Sequence, residues 1–161
     1  MHALRFRPGL AAGVGLGAFV DGIVFHQILQ WHHFVSDDVS MTSLGGLETN
    51  TLWDGIFHAF SWMVCAAGIW MLWKAGRNGT MPARNVLLGA MLVGWGAFSA
   101  IDGVLLHLVA GLHHLYQRGD FELGSDLIYI AVSLLIAVAG VAIGGRDEEQ
   151  AQRGAPAQRV R

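Results

Sequence analysis

Four stretches of this chain, near 10–34, 51–73, 85–115 and 124–145, are apolar for longer than any soluble core requires. A helix crosses about 30 Å of hydrocarbon in roughly 20 residues at 1.5 Å per residue, and each stretch reaches that length. Lipid offers no water to unpaired backbone groups, so segments of this kind must be helical. The expected fold is therefore all-α: an integral membrane four-helix bundle. Composition agrees, because 53% of residues are hydrophobic and 14% charged, about half the charged share of a soluble domain. The connections 35–50, 74–84 and 116–123 are polar. One transmembrane domain over 1–145 is expected, followed by a charged, disordered tail over 146–161.

Orientation is read from the basic residues, which resist translocation. Arg5, Arg7, Lys74, Arg77, Arg84, Arg146, Arg153, Arg159 and Arg161 fall on one side of this scheme, and only Arg118 on the other. Both termini are expected in the cytoplasm, with the bacterial inner membrane as the location. The opposite loops carry Asp37, Asp38, Glu48, Asp120 and Glu122, making the outer face acidic. A formal charge of -2 gives no footprint for nucleic acid. The single cysteine, Cys65, excludes a disulfide framework or a Cys-x-x-Cys site within one chain. Any metal chemistry must then use histidine and carboxylate. Arg5 and Arg7 ahead of GLAAGVGLGAFV also suit a signal peptide. However, the apolar run continues past Asp21, and its second half returns in the third helix.

That return is an internal repeat. At an offset of 81, Gly13, Gly15, Asp21, Gly22, His26, His32 and His33 fall on Gly94, Gly96, Asp102, Gly103, His107, His113 and His114. The motif Asp-Gly-x-x-x-His-x5-His-His is thus written twice. A weaker match at an offset of 72 sets Asp54, Ser61 and Gly68 over Asp126, Ser133 and Gly140. Two helical hairpins of like orientation result, related by a pseudo-twofold axis along the membrane normal. Positions 15, 19, 22, 26, 30 and 33, and their counterparts 96 to 114, form stripes at helical steps of three and four. The small residues on these stripes let neighbouring backbones approach and turn the histidines inward.

Seven of the eight histidines lie in the predicted membrane region. One alone is usually a satisfied hydrogen-bonding group; seven, with carboxylates, mark a functional site. Helical rise places His26, His58 and His107 in a deep layer. His33 and His114 form an upper one, with His32 and His113 turned toward the rim. Two sites follow from this, or an upper port feeding a lower site. Asp54, one turn before His58, is a candidate ligand or a group that fixes a histidine tautomer. Asp126 suits a helix N-terminus. Asp21 and Asp102 lie about 140° around an α-helix from the histidine that follows, which suits bonds between helices or a proton relay.

At DGIVFHQILQWHH, TLWDGIFHAF and DGVLLHLVAGLHH the chain resembles an uncharacterised bacterial family of small four-helix membrane proteins, over roughly residues 8–145. The company such proteins keep with copper-oxidase assembly factors implies copper. The boxes of His-rich membrane hydroxylases, HxxxH and HxxHH, are not reproduced, and their chemistry is not carried over.

The leading expectation is a transition-metal site of His26, His58 and His107, with His33, His114, His32, His113 and Asp54 nearby. Asp21, Asp102 and Asp126 would support it. Imidazole suits copper, zinc and iron alike; copper is preferred over zinc or iron because no second carboxylate lies close by this reckoning. The ion would be stored, passed to a membrane or periplasmic metalloprotein, or used in redox chemistry, so enzymatic activity stays open. The alternatives are b-type haem on a bis-histidine pair such as His26 and His107, and a proton-coupled or metal transporter carried by Asp21 and Asp102. Four helices are few for transport unless the protein forms a homo-oligomer in the lipid bilayer.

Overall fold

The computed structural model describes residues 2–117 and 119–153. It contains four long helices, α1 (His2–Val20), α2 (Leu44–Arg77), α3 (Arg84–Asp102) and α4 (Glu122–Arg153), and no strand among the described residues. Helices α1 and α3 run on into π-helical segments, Asp21–Ile28 and Gly103–Val109. The spans Phe6–Ile28, Leu44–Arg77, Arg84–Val109 and Glu122–Gly145 are each long and apolar enough to cross a membrane. The protein is therefore a multi-pass, all-helical membrane bundle.

The boundaries differ from expectation at three places. Helix α2 begins at Leu44, because the Ser43 side chain accepts from the Gly46 N–H at 3.0 Å and caps it. Helix α4 does not stop at 145 but continues to Arg153. Its polar extension, RDEEQAQR, consists mostly of good helix formers and needs no lipid. The stretch 154–161, with Arg159 and Arg161, lies outside the described residues, as does Arg118. The third difference lies at the ends of the first and third spans, which stop at Ile28 and Val109 rather than near 34 and 115.

Helices α1 and α3 pack on each other at the centre, with α2 against α1 and α4 against α3. Glycine makes the central crossing possible. A Cβ on Gly13 would lie 2.0 Å from the Met91 carbonyl oxygen, and one on its repeat partner Gly94 would lie 2.3 Å from that of Leu10. Backbones this close leave no room for a side chain, so the stripe of small residues sets the axis of the bundle.

The two halves depart from α-helix in the same way. Leu29 N–H donates to the Val24 carbonyl and Ala110 N–H to that of Leu105, both at 2.8 Å. These are the i→i+5 bonds of a π turn, which is rare and often found at functional sites. One residue later Gln30 has φ +49° and Gly111 φ +60°. The left-handed residue reverses the chain, so 29–43 and 110–121 fold back over one end of the bundle. The two loops then grip each other. Asp37 N–H donates to the Leu112 carbonyl at 3.1 Å, and Gln117 N–H to that of Trp31 at 3.3 Å.

Candidate metal centre

The reversal at Gln30 and Gly111 decides which histidines face inward. His32 and His113, expected at the rim, are buried. Their rings stack in parallel with centroids 4.6 Å apart. His26 and His107, also buried, pack edge-on against them at 4.5 and 4.6 Å. The extrapolated α-helix placed the wrong member of each His-His pair on the inner face, since the chain has left the helix before reaching it.

Each of the four rings is anchored through Nδ1. His26 Nδ1 bonds Asp54 at 2.8 Å and His107 Nδ1 bonds Asp126 at 2.8 Å. His32 Nδ1 bonds the Leu115 carbonyl at 2.8 Å, and His113 Nδ1 the Phe34 carbonyl at 2.9 Å. The last two bonds cross between the halves, because Phe34 and Leu115 are themselves repeat partners. A carbonyl or a carboxylate at the anchor can only accept, so Nδ1 carries the proton. The Nε2 lone pair of each neutral ring is left to point the other way. All four Nε2 atoms are buried and lack a hydrogen-bond partner, an uncommon condition for a buried polar atom. Burial, with the neighbouring His107, holds the imidazole of His113 down to about 4, and burial holds that of His32 well below its ordinary value. Both rings are neutral at pH 7, the form in which imidazole binds a metal.

Two carboxylates join them. Asp21 Oδ2 lies 3.3 Å from His26 Nε2 and Asp102 Oδ2 lies 3.4 Å from His107 Nε2. In an α-helix these pairs, five residues apart, would diverge by about 140°; the i→i+5 winding of the π segments brings them into line. The reading of Asp21 and Asp102 as groups remote from their histidines is thereby corrected. So is the premise that no second carboxylate lies close, on which the preference for copper rests. An unprotonated Nε2 and a carboxylate oxygen are both acceptors and do not bond each other. Ligands held at 2.0–2.1 Å on a tetrahedral ion, however, sit about 3.3 Å apart. Among the described residues, His26 with His32 and His113, and Asp102 with His107 and His113, form two groups whose ligand atoms lie within 4.8 Å of one another.

The remaining candidates take other places. Asp54 is fully engaged: one oxygen accepts from His26 and the Phe34 N–H at 2.9 Å, the other from His33 at 2.6 Å and Gln27 at 3.1 Å. Asp126 does the same for His107, His114 at 2.5 Å and the Leu115 N–H at 2.8 Å. It is buried, anchoring two histidines rather than serving only as a charge at a helix terminus. His33 and His114, anchored at Nδ1 by the same carboxylates, join neither group. His58 also stands apart. It stacks on Phe19 at 6.5 Å, and its Nε2 faces Gly22, where an added Cβ would come within 2.6 Å. It does not complete a layer with His26 and His107.

A polar cavity of about 560 Å³ lies over the site, lined among others by His32, His33, Asp37, Asp38 and Glu122. Its wall is acidic, and His32 borders it. The pair that sequence reasoning misplaced, His32 and His113, had one signal: Gly111 near the end of an apolar run, a position that commonly ends a helix.

The family model described as "Predicted membrane protein (DUF2243)" matches residues 8–147. No curated protein and no solved structure matches the chain.

Proposed function

The chain belongs to this family of predicted membrane proteins, and we propose that its bundle holds a pair of transition-metal ions. His107, His113 and Asp102, one of the two groups, would serve one ion; His26 and His32 would serve the other, with Asp21, the repeat partner of Asp102 that lies 3.3 Å from His26 Nε2, as the third donor in place of His113. The observation that carries this reading is the convergence of four anchored imidazoles whose Nε2 atoms have no partner. Two histidines and one carboxylate per ion is a donor set typical of iron and zinc. The carboxylates thus move the preference away from copper toward those metals.

Charge supports a pair. Asp21, Asp54, Asp102 and Asp126 are buried, and their ion-pair partners among the described residues are histidines alone. Four negative charges at membrane depth are costly unless compensated; two divalent cations balance them. The packing of four rings at 4.5 to 5.9 Å also favours bare ions over a haem set between His26 and His107. The acidic cavity would face the outside, in keeping with the distribution of basic residues, and deliver ions from the periplasmic side.

A second reading has one observation in its favour. His26 lies between Asp21 and Asp54, and His107 between Asp102 and Asp126, an arrangement that also suits an imidazolium passing protons. Elemental analysis decides between them. Protein purified in detergent without an affinity step on immobilised metal is expected to carry two transition-metal ions per chain and no Soret band. A folded preparation that stays metal-free after incubation with iron(II), zinc and copper would leave the proton reading.

A further inference from the structure

The repeat copies the ligands but not their surroundings. On the α4 side, Tyr129 donates its hydroxyl to Asp21 Oδ1 at 3.2 Å, and Phe25 packs edge-on against the Tyr129 ring at 6.1 Å. Tyr129 and Phe25 together occupy that side of Asp21. The offsets of 72 and 81 place Phe57 where Tyr129 would stand and Leu106 where Phe25 would stand. The hydroxyl is missing and one ring is replaced by a smaller side chain. Asp102 accordingly lacks the counterpart of the Tyr129 bond; its Oδ2, which faces His107 Nε2 at 3.4 Å, has no hydrogen-bond partner either, although the residue is 94% buried, with 6% of its surface exposed.

The space so released is a cavity of about 240 Å³ between α2 and α3. Its walls are almost wholly apolar and mostly aromatic. Trp53, Ile56 and Phe60, 42 to 50% exposed, stand at its mouth, and buried Phe57 and Asp102 at its inner end. The mouth lies on helices long and apolar enough to span a membrane, and its exposed residues, Trp53, Ile56 and Phe60, suit a lipid-facing opening.

We propose that this cavity is a binding site for a phenolic compound dissolved in the bilayer, hydroquinones included, whose hydroxyl donates to the Asp102 carboxylate. Each element of the cavity selects one feature of that ligand. The lipid-facing mouth admits a molecule that partitions into the membrane. The aromatic walls favour a flat ring, and an apolar cavity of roughly 150 Å³ already suffices for benzene, so one substituted ring fits. An acceptor oxygen with no donor at the end of an apolar slot calls for a hydroxyl, because leaving it unpaired is costly. The ligand supplies what Tyr129 supplies in the other half. A carboxylate oxygen has two lone pairs, so the hydroxyl leaves one free for an ion. The ligand thereby lies beside one proposed ion position and not the other, and the paired site becomes unequal.

The test uses the full chain in lipid nanodiscs with 4-fluorophenol and 4-fluorotoluene as fluorine NMR probes. Saturable broadening by 4-fluorophenol is expected, with 4-fluorotoluene binding at least about tenfold more weakly, since a hydrogen bond to a charged acceptor is worth that much. Phe57→Tyr and Leu106→Phe each copy the Tyr129 side and are expected to abolish the saturable signal without altering thermal unfolding or ion content. Partitioning that never saturates, equal binding of the two probes, or binding unchanged in both variants would overturn the proposal. If one variant fails to fold, the other and the comparison of probes on the unmodified chain still decide. Metal content measured on the same samples separates the two ideas: saturable binding by a metal-free protein keeps the phenol site and removes the ion pair.

Discussion

Asp54→Asn tests the anchoring of the site at one atom. The carboxylate accepts from four donors, through one oxygen facing His26 and Phe34 and another facing His33 and Gln27. Asparagine keeps the first oxygen and puts an NH2 where the second stood, so two donors meet a donor. His33 recovers its bond by moving its proton to Nε2, and roughly one charge-assisted bond, about 1.5–3 kcal/mol, is lost from stability. The larger effect falls on the ion. His26 loses the negative charge that makes Nε2 a strong donor, and losses of this kind typically cost about 10- to 100-fold in metal affinity.

Asp126→Asn should do the same to His107, which it holds at the same 2.8 Å. With two ions, each variant weakens one of them. Titration against a chromophoric chelator should then resolve one ion at wild-type affinity and one released early. If both variants bind both ions within about twofold of wild type, Asp54 and Asp126 do not orient ligands. If each variant weakens a single ion of unit stoichiometry, the paired site is wrong.

Other substitutions separate the histidines. His32→Ala and His113→Ala are each expected to remove about one of the two ions, while His58→Ala leaves both in place; an equal loss in elemental analysis would return His58 to the site. Gly13→Ala places a methyl 2.0 Å from the Met91 carbonyl oxygen, and backbone cannot swing aside, so a loss of about 3 kcal/mol or more is expected in thermal unfolding. A wild-type melting temperature would show that α1 and α3 separate easily. The metal-free protein should also weaken in acid. His113 is held near 4 when folded against about 6.5 unfolded. The unfolded chain binds the extra proton between those values, and stability falls as pH drops through that window. The contribution is about 3 kcal/mol for this group. Unfolding midpoints measured from pH 7 to 4.5 check it, and His113→Gln should flatten the slope.

The spans and the duplication were legible because each rests on many residues. Hydropathy accumulates over twenty positions, and seven matches at one offset fix the repeat. The local winding was not legible, since it turns on single hydrogen bonds. One residue of π register rotates everything beyond it, and that rotation is what moves Asp21 onto His26 and Asp102 onto His107. The reversal that follows exchanges the roles of His32 and His33. Periodicity projected from a straight helix cannot anticipate either step. The twofold repeat itself supplies the control: two independent stretches, differing at Phe25 and Leu106 and at Gln30 and Gly111, leave the α-helix at the same place. What they retain in common at that break is Asp, Gly and the three histidines. The break therefore follows the ligand residues and not the apolar ones around them.

Where the halves differ then gains meaning. His58 is the one histidine of the predicted membrane region without a copy, and its counterpart Ile130 fills the corresponding place, with its Cγ1 within 2.8 Å of where a Cβ on Gly103 would stand. The difference there is one of packing against a glycine. At Phe57 and Tyr129 the difference changes whether a buried carboxylate has a donor. A departure from symmetry bears on function when it alters the partner of a charged group. By that measure the unequal element of this bundle is Asp102 and the lipid-facing slot beside it.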